Sequence, residues 1–196
     1  MEFVEETDLT VERALKKALQ ELKANINDVK YVILKKDPIV IRVYKKVKEI
    51  EEMEEMLKEF LEKLGTIGKI QIIPESKNVL YINIRTKDLD DVLIGKDGKN
   101  LDDFCHILGI IFKKRFGEKF KFIFDVSNYK KRRESYIVNK ALAIAKLSIQ
   151  NKTEYSLDPL SGKERKLVID ALKKIEGIDI RIIGRGKNSK IVIFPK

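Results

Sequence analysis

The chain has 196 residues, of which 43% are hydrophobic and 37% are charged, and its net charge is +10 with one Cys and one His. A single Cys excludes a disulfide framework, and no apolar run reaches the roughly 20 residues that span a bilayer. The first residues are acidic, unlike a signal peptide, so we expect a cytoplasmic α+β protein of several small domains.

The excess positive charge lies in the last third of the chain. Residues 127–196 contain 17 of the Lys and Arg residues and 7 of the Asp and Glu residues, a balance of +10, and the remainder is neutral. A segment with this charge is typical of a surface that meets a polyanion. A solubilising tail and a membrane surface are the alternatives, but the segment is patterned like folded protein, and nucleic acid is favoured over both.

Residues 1–46 predict a small α-β-β unit. Thr10 is a candidate N-cap, and strands are predicted over 29–34 and 39–43. The unit is too small for a large core, so we expect it to dock on its neighbour or to form a homodimer. The predicted helix carries an apolar stripe of Val11, Ala14, Leu15, Ala18 and Leu22.

Residues 47–126 predict the order α-β-β-α-α-β. A helix ends at Gly65, and strands at 70–73 and 79–84 follow it. A short helix, a Gly-x-x-Gly loop, a long helix to Phe116 and a strand at 120–126 complete the unit. This is the order of a type II KH domain.

The loop between the two helices is the most informative feature of the sequence. Glycine has no Cβ, so a sugar-phosphate backbone can approach closely, and the next helix offers free N–H groups to phosphate. KH domains clamp about four nucleotides of single-stranded nucleic acid in this way. An ordinary turn is the alternative, but the element order favours a KH loop. Its predicted RNA-binding residues are Gly95, Lys96, Asp97, Gly98 and Lys99.

Residues 127–196 predict a third unit of helices and short strands. A helix is expected from 127 to about 150, a second over 161–174, and strands over 178–183 and 190–194. Solvated surface charge is the alternative to RNA contact here. The candidate RNA-binding cations are Lys130, Lys131, Arg132 and Arg133 at the first helix start, Arg165 in the second helix, and Arg181, Arg185, Lys187 and Lys190 on or between the strands.

Several segments together resemble the bacterial Jag family, also called KhpB or EloR. They are TVERAL at 10–15, LIGKDGKNLD at 93–102, DVSNY at 125–129, LDPLS at 157–161 and IVIFPK at 191–196. The resemblance covers essentially the whole chain. It implies a Jag N-terminal domain at 1–46, a KH domain at 47–126 and, at 127–196, a single-strand-binding domain named for an Arg-x-x-x-His motif.

The same resemblance implies a function. Proteins of this family bind RNA in the cytoplasm, and the resemblance implies an RNA chaperone or post-transcriptional regulator. It also implies a small KH-domain partner, KhpA, an effect on cell-wall synthesis and cell length, and an association with a membrane insertase.

Three residues or segments depart from the family pattern. Arg165 occupies the Arg position of the motif, but Ile169 stands where the His is expected, so Arg165 is either an RNA contact or a structural residue. Asp97 adds a negative charge to the KH loop and is a candidate cap of the next helix. The turn at 36–38 is shorter than the loop expected in a Jag domain.

The sequence gives no indication of an enzyme, a cofactor or a metal site. His106 and Cys105 lie beside the apolar stripe of the KH helix, where packing explains them. The competing class is a protein-interaction scaffold that binds nucleic acid weakly or not at all. Asp97, Ile169 and the acidic helix at 49–59 favour that class, whereas the charge of 127–196 opposes it.

Overall fold

A computed structural model of the chain describes residues 2–186 and 189–196. These residues form an α+β structure with three small sheets, as the sequence predicts. The chain divides into two compact units, the residues up to Asn128 and Tyr129–Lys196. In the first unit the elements are β1 (Phe3–Asp8), α1 (Val11–Leu22), β2 (Val29–Lys36), β3 (Ile39–Lys45), α2 (Lys48–Lys63), β4 (Gly68–Ser76), β5 (Val79–Thr86), α3 (Asp90–Ile94), α4 (Lys99–Phe116) and β6 (Lys121–Val126).

The N-terminal segment contains the predicted helix and two strands, but an additional strand, β1, precedes them and was not predicted. Strand β1 pairs antiparallel with β3, which lies between β1 and β2. Three of the six residues of β1 are acidic, Glu5, Glu6 and Asp8, and acidic residues are depleted in strands, so the sequence did not indicate a strand here. A cation on the central strand compensates one of them: Arg42 Nε donates to Glu5 Oε1 at 2.8 Å, directly across the ladder.

Helix α1 packs on this first sheet as its apolar stripe predicts. Ala14, Ala18 and Leu22 are buried against Ile41 of β3 and its neighbours. The predicted cap is confirmed, since Thr10 Oγ1 accepts a hydrogen bond from the Arg13 amide at 3.3 Å. Ala14 and Ala18 are four residues apart, so both small side chains lie on the same face of the helix.

Two side chains of β3 join the first sheet to the second. The Tyr44 hydroxyl donates to the Ile72 carbonyl at 2.8 Å, and Arg42 Nη1 donates to the Pro74 carbonyl at 2.7 Å. Tyr44 and Val32 share one apolar core with α2 and the second sheet. Burial raises the pKa of Tyr44 to about 12, so its hydroxyl remains a donor. The small N-terminal segment thus obtains part of its core from its neighbour, which agrees with the predicted docking.

The second sheet has the strand order β4-β5-β6, with β4 antiparallel and β6 parallel to β5. Helix α4 crosses one face and buries Leu101, Leu108 and Phe112. The Phe112 ring contacts the rings of Phe122 and Phe124 on β6, each with centroids 5.1 Å away. From α2 to β6, the elements follow the predicted order α-β-β-α-α-β.

The unit Tyr129–Lys196 places two helices on one face of a small antiparallel sheet. Its strand order is β7-β9-β8, and its core includes Ala141, Val168 and Ile193. The two-residue strand β7 was not predicted, because so short an edge carries no periodicity. The elements are α5 (Tyr129–Asn151), β7 (Tyr155–Ser156), α6 (Gly162–Leu172), β8 (Ile178–Ile183) and β9 (Lys190–Pro195).

The hydrogen bond of Tyr44 gives a direct test of the packing between the first two sheets. We expect Tyr44→Phe to lower the free energy of unfolding by about 1 kcal/mol, because the buried Ile72 carbonyl loses its partner. Thermal denaturation measures the effect. The matched control is Tyr31→Phe, since Tyr31 lies on adjacent β2 and is 45% exposed. An equal loss in both variants contradicts the assignment.

Candidate nucleic-acid interface

The Gly-x-x-Gly segment forms a tight loop between α3 and α4. Gly95 has φ +66° and Gly98 has φ +81°, backbone conformations that favour glycine. Gly98 and the residue before the loop, Ile94, are buried, whereas Lys96 and Lys99 are exposed. The loop therefore presents two cations beside the first N–H groups of an 18-residue helix.

The Asn100 side chain holds the loop in place by a hydrogen bond to the preceding helix, a contact that was not predicted from the sequence. Its Nδ2 donates to the Val92 carbonyl on α3 at 2.9 Å, so the first turn of α4 is tied back to the preceding helix. An added Cβ on Gly95 would lie 2.5 Å from Asn100 Cγ. Gly95 is thus required by close packing as well as by its φ angle. The only sequence signal was a short amide side chain just after the second glycine.

Gly98 occupies the N-cap position of α4, one residue after Asp97, which the sequence suggested as the cap. Asp97 itself has φ +58° and ψ +22°, a left-handed conformation that Asp and Asn tolerate better than most residues. Its exposed carboxylate follows Lys96 directly and reduces the positive potential of the loop.

The carboxylate of Asp90 anchors the start of α3. Its Oδ1 accepts from the Thr86 amide at 2.7 Å and the Thr86 hydroxyl at 2.8 Å, and its Oδ2 accepts from the Ser127 hydroxyl. Partial burial acts to raise the pKa of Asp90, but the hydrogen bonds from Ser127 and Thr86 outweigh it, and the pKa lies below its usual value. One side chain therefore joins the ends of β5 and β6 to the helix before the loop.

The sequence predicts that a helix begins at Ser127, but Ser127 and Asn128 are not helical. Both have positive φ, 48° and 54°, and α5 starts at Tyr129. Side-chain contacts compensate this conformation: the Asn128 amide donates to Asn83 Oδ1 at 2.9 Å, and the Tyr81 hydroxyl donates to Asn128 Oδ1 at 3.1 Å. The path of the chain beyond β6 is therefore fixed by polar contacts within the first unit.

The four cations at the start of α5 differ in their surroundings. Lys131 and Arg132 are exposed, and Lys130 is partly buried. Arg133 Nε donates to Glu164 Oε1 at 2.9 Å, and both side chains are less than one-fifth exposed. Burial acts to raise the pKa of Glu164, but the interactions with Arg133 and Ser161 together outweigh it, and the pKa lies below the usual value. Arg133 thus joins α5 to the N-terminus of α6.

Arg165 donates to backbone carbonyls within its own unit. Its Nη2 lies 3.1 Å from the carbonyl oxygens of both Leu160 and Gly186. Its Nε is buried with no hydrogen-bond partner among the described residues. Ile169, in the position of the motif His, packs against the apolar core of the unit. These contacts match the structural role considered for Arg165.

The remaining candidate cations lie around the β8–β9 hairpin. Arg181 Nη2 contacts Glu154 Oε2 at 2.8 Å, and its guanidinium lies 5.6 Å from the centroid of the Phe194 ring. Arg185 and Lys190 are exposed. Lys187, also predicted to bind RNA, lies outside the described residues. The structure thus separates the predicted cations into the start of α5, the Arg165 contacts and this hairpin.

The described residues were also compared with the requirements of a metal site and of a membrane-spanning helix. Residues 2–186 and 189–196 contain no group of three His, Cys, Asp or Glu side chains that could hold a metal ion. No helix in these residues is long and apolar enough to cross a bilayer. Cys105 Sγ lies 3.3 Å from the Phe124 carbonyl oxygen, and the neighbouring His106 is exposed.

The comparisons with known proteins agree with the resemblance found in the sequence. The chain is 26% identical to the RNA-binding protein KhpB of Clostridium symbiosum over 207 aligned positions, which cover 100% of this chain and 93% of the relative. It is 24% identical to the RNA-binding protein KhpB of Bacillus subtilis, with 95% of each chain covered. No family model matches the chain. The two relatives confirm the predicted similarity to the KhpB (Jag) proteins.

The pKa of Asp90 makes stability depend on pH in a defined direction. Because the folded-state pKa lies below the ordinary value of 3.8, the carboxylate stabilises the first unit above that value, and the effect is lost as pH falls through the folded-state pKa. We expect Asp90→Asn to lower the melting temperature at pH 7, with a smaller difference from the unmodified chain at pH 3.

The control for this variant is Asp91→Asn, which removes an exposed charge from the same helical turn. Both variants change the charge near the α3 N-terminus equally, so only the Asp90 hydrogen bonds distinguish them. A difference that stays constant between pH 7 and pH 3 contradicts the anchoring role.

The pairing of Arg133 predicts that neighbouring arginines differ in their effect on stability. We expect Arg133→Gln to lower the free energy of unfolding by about 1–3 kcal/mol, because it leaves the Glu164 carboxylate largely buried without its partner. Arg132→Gln, which removes an exposed charge one residue earlier, is expected to change it by less than about 0.5 kcal/mol. Equal melting temperatures of the two variants would rule out a structural role for the pair.

Proposed function

We propose that this chain binds single-stranded RNA through the Gly95–Gly98 loop, within a type II KH domain formed by residues 47–126. The element order α-β-β-α-α-β supports the domain, as does a sheet with one antiparallel and one parallel pairing. Both KhpB relatives are named RNA-binding proteins, not enzymes, and their similarity extends along nearly the whole chain.

The geometry of the loop carries this proposal. Two glycines in left-handed conformations narrow the turn, and Asn100 holds it against α3. A phosphate at the loop meets the exposed Lys96 and the N–H groups at the start of α4. The backbone N–H groups are held in place by the helix before binding, so ordering of the main chain costs RNA little affinity.

The flanking segments extend the proposal. We assign residues 1–46 to a Jag N-terminal domain and residues 127–196 to the single-strand-binding domain of the family. The second of these has a net charge of +10, which is suited to phosphate contacts that add affinity without reading sequence. Among the described residues, its exposed candidates are Lys131, Arg132, Arg181, Arg185 and Lys190.

The cellular role is proposed from the resemblance alone. A cytoplasmic RNA chaperone or post-transcriptional regulator that works with the small KH protein KhpA fits a chain with this element order. The effects on cell-wall synthesis and cell length, and the association with a membrane insertase, belong to the same proposal. The proposal also includes a homodimer.

A protein-interaction scaffold is the second candidate function, and specific observations favour it. Arg133 and Arg165 donate to groups within their own unit, and Asp97 places a carboxylate in the loop. In addition, α2 carries a row of exposed Glu side chains that would repel RNA. A scaffold of this kind would bind RNA weakly, with little dependence on Lys96.

Charge reversal in the loop separates the two functions. We expect Lys96→Asp to weaken binding of single-stranded RNA about tenfold, equivalent to about 1.4 kcal/mol, because two carboxylates then lie where phosphate binds. Fluorescence anisotropy at several salt concentrations measures the dissociation constant, and circular dichroism confirms the fold. Lys16→Asp on α1 is the control, with the same charge change at an exposed site.

The salt dependence gives a second reading from the same titration. Phosphate contact makes log K fall linearly with log salt, with a slope of about −0.7 for each phosphate neutralised on a single strand. Equal affinities for the Lys96 and Lys16 variants would exclude the loop as the RNA site. Binding too weak to measure in the unmodified chain would favour the scaffold.

A further inference from the structure

Helices α5 and α6 pack on one face of the sheet in Tyr129–Lys196. On the other face, Val192 of the central strand is 6% exposed, and the side chains around it are more exposed. The buried side chains of β8 and β9 that meet α5 and α6 are Ile178, Ile191 and Ile193. Side chains alternate between the faces of a strand, so the residues between them point the opposite way. Arg181 and Ile183 on that opposite face are 55% and 50% exposed.

The helix-free face combines an aromatic ring with cations. Phe194 lies on β9, the central strand, and is partly exposed. Arg181 is on the adjacent strand β8, and its guanidinium lies over the Phe194 ring. Lys190 is on the same face of β9, directly opposite Ile183 of β8. We call these four residues, Phe194, Arg181, Ile183 and Lys190, the open sheet face.

Such a combination suits one class of ligand. Every nucleobase has a flat π surface that stacks on an aromatic ring or on a guanidinium plane, and neighbouring cations neutralise the phosphates. A sheet is a rigid support for these contacts, because its main chain is fixed by the ladder. The Arg181–Glu154 pair does not obstruct the face, since exposed ion pairs contribute little stability and exchange readily.

We propose that the open sheet face is a second contact surface for single-stranded RNA, where one base stacks on the Phe194–Arg181 pair and a neighbouring phosphate meets Lys190. The proposal rests on the RNA-binding function above and specifies how the basic segment takes part in it. It moves the contact away from the Arg165 position of the family motif, where the guanidinium already donates to two backbone carbonyls.

The charge of the unit favours RNA over an acidic peptide as the occupant. Residues 127–196 have a net charge of +10, but Asp179 lies directly opposite Phe194 and Glu154 lies beside Arg181. These carboxylates would repel an acidic peptide that covers the whole face. An RNA strand avoids them, because its neutral bases can lie over Phe194 while its phosphates follow the cations.

The test replaces the Phe194 ring by an aliphatic side chain. Phe194→Leu keeps an apolar side chain on β9 but removes the flat surface, and we expect RNA affinity to fall about fivefold or more. The control is Tyr136→Leu on α5, which removes a ring that is 58% exposed and outside the proposed surface. Its affinity is expected to stay within twofold. Full-length protein and a single-stranded RNA oligonucleotide containing 2-aminopurine are used, with anisotropy for affinity.

The fluorescence of 2-aminopurine reports stacking directly. We expect quenching on binding to the unmodified chain and to the Tyr136 variant, and a clear loss of quenching with Phe194→Leu. Arg181→Lys keeps the charge and loses the planar guanidinium, so it should also reduce quenching. This second variant decides the question if Phe194→Leu does not fold.

The outcomes separate this proposal from the one it rests on. Unchanged affinity and quenching in the Phe194 and Arg181 variants, with weaker binding by Lys96→Asp, would overturn the open sheet face and leave the loop as the RNA site. If the unmodified chain binds no RNA, both proposals fail. If an acidic peptide binds with Phe194 dependence and RNA does not, the surface belongs to a protein partner and the proposal is wrong.

Discussion

The hydrogen bonds of the Asp90 carboxylate hold together the part of the molecule on which the loop depends. Thr86 ends β5 and Asp90 begins α3 four residues later, so a single side chain joins both to Ser127, which follows β6 and is 37 positions further along the chain. The helix before the loop is only five residues long and would not keep its position alone. Its orientation, and with it the exposure of Lys96, follows from this anchor.

Local sequence signals predicted the elements that local interactions determine. The stripe of α1, the cap at Thr10 and the two glycines around Lys96 all act within a few residues, and the structure contains each of them. Local signals of the same kind predicted the order of elements from α2 to β6. No single motif identifies the family. The resemblance was recognised because matching segments occur along essentially the whole chain.

Features that depend on distant partners could not be predicted in this way. The acidic strand β1 is stable because Arg42 lies opposite Glu5, 37 positions along the chain. Arg133 was assigned to RNA as one of four clustered cations, but Glu164 on another helix pairs with it. The sequence does not show which cations form ion pairs within the folded protein. A cluster of Lys and Arg in the sequence can therefore contain more cations than are available to bind a ligand.

The polar contacts between the first two sheets have a consequence for association between molecules. Strand β4 is an edge strand, and an unpaired edge offers carbonyl and amide groups to strands of other chains. Tyr44 and Arg42 occupy the carbonyls of Ile72 and Pro74 on the outer side of β4, and Pro74 has no amide hydrogen to donate. These side chains, rather than another strand, occupy part of this edge, which disfavours pairing of β4 with a strand of another molecule.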